Sequence, residues 1–419
     1  MTIKINIRNV FAYFSVLLIV FQPLLCMINS IFGYTDEIIA ILCGLYYILT
    51  LFLKHPKKEY DSTMLLLMFL LLVTGVIGNI VYNIQSSFLA IILDVFATFK
   101  CFVIYMGIKS MYTSPDENKK ILHNIASIFR VYMFIVGLFA IINLFVDIGM
   151  SDGLSYGLRA FKFIYSGSGD FSLVCYSICF VILLDMAVQK ASFGRKEIII
   201  AATILLIWSS SLVTRAIAYM LLFLAMLLLL SFSKSRLKWY HFVPLGISVL
   251  FVGYSSIQYF FYNANTARSQ LLINGIRTMV KYFPFGAGFA TYGSDMAYKY
   301  YSPLYELYGF NSIFGLSRNS TMVFANDSFW PEIMGQFGVI GAVIFIIFII
   351  LLYKKCVHVC ITRTQTLVIQ WIMAVLLVGS VGSKTYIHYI MIPVFIALSL
   401  FENYASNQAK TQVEPKYQG

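Results

Sequence analysis

The chain has 419 residues, of which 60% are hydrophobic and 11% charged, with a formal net charge of +12 and a mean hydropathy of +0.82. Apolar runs this long and numerous exclude a soluble globular domain. A bilayer-crossing helix needs about 20 mostly apolar residues, because hydrocarbon offers no water to a free backbone group. The basic residues come in short arms between these runs, so the positive balance is a topology signal and not a nucleic-acid surface.

In chain order, the apolar runs predict twelve transmembrane helices near 10–32, 38–53, 63–82, 88–111, 128–148, 171–188, 198–211, 215–233, 242–260, 330–353, 366–383 and 387–402. The expected fold class is an all-α integral membrane protein, one polytopic domain over residues 1–402. The first run is too long, and lacks a small-residue cleavage site, for a removable signal peptide. Residues 261–329 form a large external loop with amphipathic helices, 149–170 a smaller one, and 403–419 a polar, disordered cytoplasmic tail. Neither an internal repeat nor an inverted half-to-half symmetry is evident, which weighs against common transporter architectures.

Orientation follows from the placement of Lys and Arg, which short cytoplasmic loops retain. Lys54, Lys57 and Lys58, Lys119 and Lys120, Arg195 and Lys196, and Lys354 and Lys355 fall on one face with both termini. That face is read as cytoplasmic, and a bacterial cytoplasmic membrane is the expected site. The seven cysteines lie in spans or near this inner face, so no disulfide framework is implied. "CVHVC" (Cys356 to Cys360) sets His358 opposite its two cysteines on a helix, which is not a metal-ligand spacing. No metal or other cofactor is expected.

External arginines run against the positive-inside bias, and Arg159, Arg215, Arg268, Arg277 and Arg318 are all predicted outside. A guanidinium grips phosphate oxygens bidentately and stays charged, so several converging on one pocket suit a pyrophosphate. As single residues they also suit interfacial snorkelling. The stretch "RSQLLINGIRTMVKYFPFGAG" predicts an amphipathic helix on the outer membrane surface, with Arg277 and Lys281 one turn apart on its wet face, ended by Pro284. Gly286, Gly288 and Gly293 do not keep the nucleotide-binding spacing. Tyr292, Tyr298, Tyr300, Tyr301, Tyr305 and Tyr308 crowd the same loop, either to stack on sugar rings or to form an interfacial belt.

Within the spans, Asp94 and Lys100 are costly in hydrocarbon. They stand about 240° apart around one helix and cannot pair with each other. Asp94 either lines a cavity or makes a structural hydrogen bond. Of the five histidines only His388 is predicted outside. Asp327, with Ser328 after it, sits at the mouth of the tenth span, either as its N-cap or as a general base.

Taken in order, "TRAIAYMLLFLAMLL", "ARSQLLINGIRTMVKYFPFGAGFATYG" and "NDSFWPEIMGQFGVIGAVIF" resemble the O-antigen polymerase and O-antigen ligase superfamily over about residues 155–353. The loop "LRAFKFIYSGSGDFSLVCYS" is similar to the arginine segment before that family's sixth span or so. The resemblance implies a metal-independent membrane glycosyltransferase whose donor is an oligosaccharide on polyprenyl pyrophosphate, outside the cytoplasmic membrane, with a chain-length regulator as a possible partner. It carries the family's functional arginines onto Arg215 and Arg268, with Arg159 a third. Arg277, Lys281, Arg318, Tyr292 and His388 complete the expected substrate-binding set. A histidine marks the ligase branch where this chain has Asp327, a departure that favours a polymerase with Asp327 as base. The alternatives are a ligase and, in another class, a flippase of lipid-linked oligosaccharide. A transferase concentrates functional charge in external loops, and a carrier concentrates it inside the spans.

Overall fold

Helices dominate the computed structural model of the chain, which describes residues 7–53, 61–155, 157–190, 192–213, 216, 219–220, 223–224, 266–320, 322–325 and 328–413. They are α1 (Ile7–Ile28), a 3-10 turn (Ser30–Tyr34), α2 (Thr35–Phe52), α3 (Ser62–Tyr82), α4 (Phe88–Met111) and α5 (Pro115–Phe145). After the strands β1 (Ser151–Ser155) and β2 (Leu158–Phe161) come α6 (Ser168–Gln189) and α7 (Arg195–Ser209). The loop helices are α8 (Ala267–Lys281), α9 (Asp295–Lys299) and α10 (Pro303–Leu307); α11 (Phe329–His358), α12 (Arg363–Gly382) and α13 (Ile392–Val413) close the chain.

Among the described residues, nine helical segments are long and apolar enough to cross a bilayer. The protein is therefore a multi-pass, all-α membrane protein. The nine correspond to predicted spans one to six and ten to twelve. The seventh is α7, whose 15 residues reach about 22 Å, less than the hydrocarbon thickness of about 30 Å. The eighth and ninth lie almost wholly outside the described residues.

Two boundaries differ from the sequence reading for a common reason. Helix α5 begins at Pro115, well before the predicted 128, with a proline and the acids Asp116 and Glu117 in its first turn. Its early turns are amphipathic and bury Asn118, Ile121, Leu122 and Ile125, so apolar runs alone miss them. Helix α13 likewise continues past Glu402 to Val413, through part of the supposed disordered tail. Glu402 pairs with Lys109 at 2.6 Å and accepts from the Tyr105 hydroxyl. The Asn403 amide donates to the carbonyls of Lys109 and Tyr112 at 2.7 and 2.6 Å. These partners come from α4 and its C-cap residue Tyr112, and they turn a polar run into a packed helix.

Helix α6 is the axis of the bundle, with its whole apolar window buried among α5, α7, α12 and α13. Helix α4 lies along α2, where Gly107 allows close approach: a Cβ there would stand 2.5 Å from the Cβ of Cys43. The same register sets Lys100 of α4 beside Asp36 of α2.

Charged side chains gather in two layers. At the end opposite the large loop, Asp61 bridges Lys109 and Lys355, and Asp185 holds Arg130 and His123. At the loop end lie Asp36, Glu37, Lys100, Asp94, Glu332 and Lys384. Between the layers, α4 from 101 to 108, α11 from 333 to 353 and α13 from 392 to 401 carry no charged residue.

Candidate functional site

The turn after α8 locks the large loop into the bundle. Its Gly286 and Gly288 take φ of +77° and +93°, and Gly338 inside α11 takes φ +62°. A Cβ on Gly286 would stand 2.3 Å from the Gly338 nitrogen, and one on Gly338 would stand 2.4 Å from the Gly286 nitrogen. On the other side, a Cβ on Gly78 of α3 would stand 2.7 Å from the Gly288 nitrogen. Backbone therefore packs directly on backbone, and any side chain at these positions would force the elements apart. The kink at Gly338 frees carbonyls of α11, and the turn satisfies them: Ala287 and Gly288 N–H donate to the carbonyls of Gly335 and Gln336, each at 2.9 Å. Asn79 completes the clamp. Its amide donates to the Phe289 carbonyl at 2.9 Å and accepts from the Phe289 N–H at 2.8 Å.

Helix α8 follows the direction of the start of α11, with Gly275 against Pro331 and Gly286 against Gly338. Arg268 lies in the first turn of α8, about two turns before Gly275. The buried face of α8 carries Leu271, Asn274, Gly275 and Thr278, with Gly275 against Pro331 of α11 and Leu271 and Thr278 against Tyr292 and Tyr308 of the loop. Ile273, Ile276, Val280 and Phe283 form an exposed apolar stripe, as a helix on a membrane surface requires.

Beneath the clamp is a buried charge centre that the sequence reading missed in part. The Lys384 amino group meets the Glu332 carboxylate at 2.7 Å, with side chains only 5% and 2% exposed. Asp94 accepts from the Ala290 N–H at 2.7 Å and interacts with Ser294 and Gln336. That bond holds Ala290 at φ +57°, a left-handed conformation costing a non-glycine residue about 1–2 kcal/mol. Asp94 thus makes the structural hydrogen bond, the second of its two expected roles. Burial opposes the charge on Lys384, but Glu332 and Asp295 more than offset it and hold the amine above the ordinary lysine range.

His388 stands between this centre and a second one. Burial pushes its imidazole down to about 4, so the ring is neutral near pH 7, and Nδ1 accepts from the Ile390 N–H at 3.3 Å. The ring stacks on Tyr389 with centroids 4.8 Å apart. Tyr389 in turn lines a cavity of about 350 Å³ between α1, α2, α4 and the segment before α6. Lys100 sits in its wall, bonded to Asp36 and 3.9 Å from Glu37. Lys100 therefore finds its partners on the neighbouring helix, which its own helix cannot supply. Among the described residues, no group of three or more His, Cys, Asp or Glu is placed to hold a metal ion.

The predicted basic residues have separate local partners. Arg159 of β2 donates to the Asn143 carbonyl at 3.4 Å, and Arg277 to the Asn274 side chain at 3.1 Å. Lys281 lies 5.4 Å from the Tyr282 ring centroid. Arg318 pairs with Glu306 at 3.5 Å and covers Tyr301 at 4.8 Å. Arg215 and Asp327 lie outside the described residues. Ser328 occupies the N-cap position of α11, but its hydroxyl makes no capping bond. One of the loop tyrosines departs from the sequence reading. Tyr292 is fully buried, its hydroxyl donating to the Leu271 carbonyl at 2.6 Å, and it packs with Tyr305, Tyr308 and Phe310. Its ring forms the loop's own core, so no face is left to stack on a sugar. The signal for Glu332 and Lys384 was present, since each is a charge at the edge of an apolar run, but nothing in the sequence paired them.

Neither the family models nor the curated proteins compared with the chain give a match.

Proposed function

We propose that the protein polymerises oligosaccharide repeat units carried on polyprenyl pyrophosphate, on the outer side of the bacterial cytoplasmic membrane. The observation that carries this reading is the glycine clamp: it holds α8, the helix that carries Arg268, against α11, which Asp327 precedes in sequence. In the reaction, a sugar hydroxyl of one repeat unit attacks the anomeric carbon of the growing chain. The bond from that carbon to pyrophosphate breaks, and polyprenyl pyrophosphate departs with the bonding electrons. Arg268 and Arg215 would stabilise the charge developing on the leaving group, at about 1.5–3 kcal/mol for each charge-assisted hydrogen bond. Asp327 would accept the hydroxyl proton, a contribution of about 100- to 10,000-fold.

A second reading, a carrier of the same lipid-linked glycan, is favoured by the charges within the spans at Asp36, Lys100, Asp94 and Glu332. Against it, these charges sit in one layer at the loop end and are partnered there, with uncharged helix beyond. The test is Arg268→Ala in cells that make the native polysaccharide. Loss of polymer with single repeat units still displayed outside supports the polymerase. Lipid-linked single repeats retained inside support the carrier, and normal long chains with the protein expressed overturn the role of Arg268. Asp327→Asn then separates base from cap, because asparagine caps a helix nearly as well but cannot take the proton. Full polymer synthesis in that variant rules out the base.

A further inference from the structure

The geometry points to the cavity at Lys100 as a binding site for the hydroxyl groups of a short stretch of glycan. At about 350 Å³ it falls at the small end of the roughly 300–1,000 Å³ of known ligand pockets. Its wall has acceptors in excess. The carboxylates of Asp36, Glu37 and Asp170 line it against a single cation, Lys100. Gln22, 5% exposed, gives its amide N–H groups to the carbonyls of Phe32 and Gly33 and to Asp36, while its Oε1 accepts nothing.

An ionised carboxylate only accepts hydrogen bonds, so the occupant of a cavity walled by Asp36, Glu37 and Asp170 should supply donors. Two classes of ligand do so, cations and hydroxyl-rich neutral molecules. The three carboxylates do not form a metal-ligating group, and Lys100 already occupies the cation position between Asp36 and Glu37. Hydroxyls fit better: each donates to a carboxylate or amide oxygen, and its own oxygen can accept from the Lys100 amine. The choice of a sugar among hydroxyl-rich ligands rests on the polymerase reading.

Cys26 supplies the measurement. It lines the cavity as a free, partly exposed thiol, whereas every other cysteine except Cys360 is buried. The full chain carrying Cys360→Ser is placed in lipid nanodiscs and labelled with a hydrophilic maleimide. The probe is the free oligosaccharide repeat unit, released from its lipid by mild acid. The expected result is a saturable slowing of Cys26 labelling, about tenfold at ten times the half-protecting concentration. In Glu37→Gln and in Asp170→Asn the half-protecting concentration should rise at least about tenfold, each removed bond to a charged group contributing on the order of 1.5–3 kcal/mol. An unchanged labelling rate without sugar shows that the cavity is intact in whichever variant is used.

Equal labelling with and without the oligosaccharide overturns the assignment, as does protection that persists unchanged in both variants. Equal protection by sodium chloride at the same concentration overturns the ligand class. The two readings fail separately. Unprotected Cys26 together with lost polymer and single repeats displayed outside in Arg268→Ala sinks the cavity assignment alone, and protected Cys26 with lipid-linked single repeats retained inside in Arg268→Ala sinks the polymerase alone.

Discussion

Replacing Lys384 by Met isolates the energetics of the buried ion pair under the clamp. At 2.7 Å, and with an effective dielectric constant of about 20, the attraction between Lys384 and Glu332 is about 6 kcal/mol before desolvation is subtracted. Desolvation removes much of that gain, so the pair as a whole contributes little. Breaking it is another matter, because Lys384→Met leaves Glu332 buried without its cation, a change that costs about 3–5 kcal/mol. Removing both charges, in Lys384→Met with Glu332→Gln, should return stability to within about 2 kcal/mol of the wild-type protein. Some deficit should persist, because Asp94 and Asp295 also feel the charge of Lys384. The measurement is a double-mutant cycle on unfolding in mixed micelles titrated with a denaturing detergent. A double variant whose loss equals the sum of the two single losses would refute direct coupling between these residues.

Gly286→Ala should be destabilising by about 2–5 kcal/mol, combining the left-handed backbone penalty with a Cβ forced to 2.3 Å from the Gly338 nitrogen. It should also abolish polymer while the protein still inserts, read by surface glycan length beside a membrane-fraction blot. His388 supplies a pH test. Its folded-state value of about 4 lies below the ordinary 6.5, so the unfolded chain binds the proton first as pH falls. Its contribution to stability is therefore complete above about 6.5 and is lost as pH drops towards 4. The difference in thermal stability between the wild-type protein and His388→Gln, followed from pH 7 to pH 4, should shrink across that window. A constant difference would show that burial of the neutral ring does not govern stability there.

The membrane class and nine of the helices were legible from apolar runs, because hydrocarbon demands about 20 unbroken apolar residues per crossing and leaves the signature in local composition. The amphipathic α8 was legible too, from its helical recurrence. The boundaries of α5 and α13 were not, since amphipathic turns packed on neighbours look like ordinary polar sequence.

Partnership was invisible to the sequence, and only tertiary structure decided it. Lys100 could be seen to need a counterion and to be unable to find it in Asp94, but Asp36 lies 64 residues away and meets it only through the close packing of α2 on α4. Glu332 and Lys384 are likewise two isolated charges until α11 and the loop after α12 are brought together. Tyr292, Tyr301 and Tyr305 carried the right composition for a sugar platform, yet folding turned those rings inward as a core. Local rules act on residue type and spacing, so composition reveals which groups must be satisfied. Which group satisfies them depends on helix register and crossing, and those are set by contacts such as Gly286 on Gly338 that no local pattern encodes.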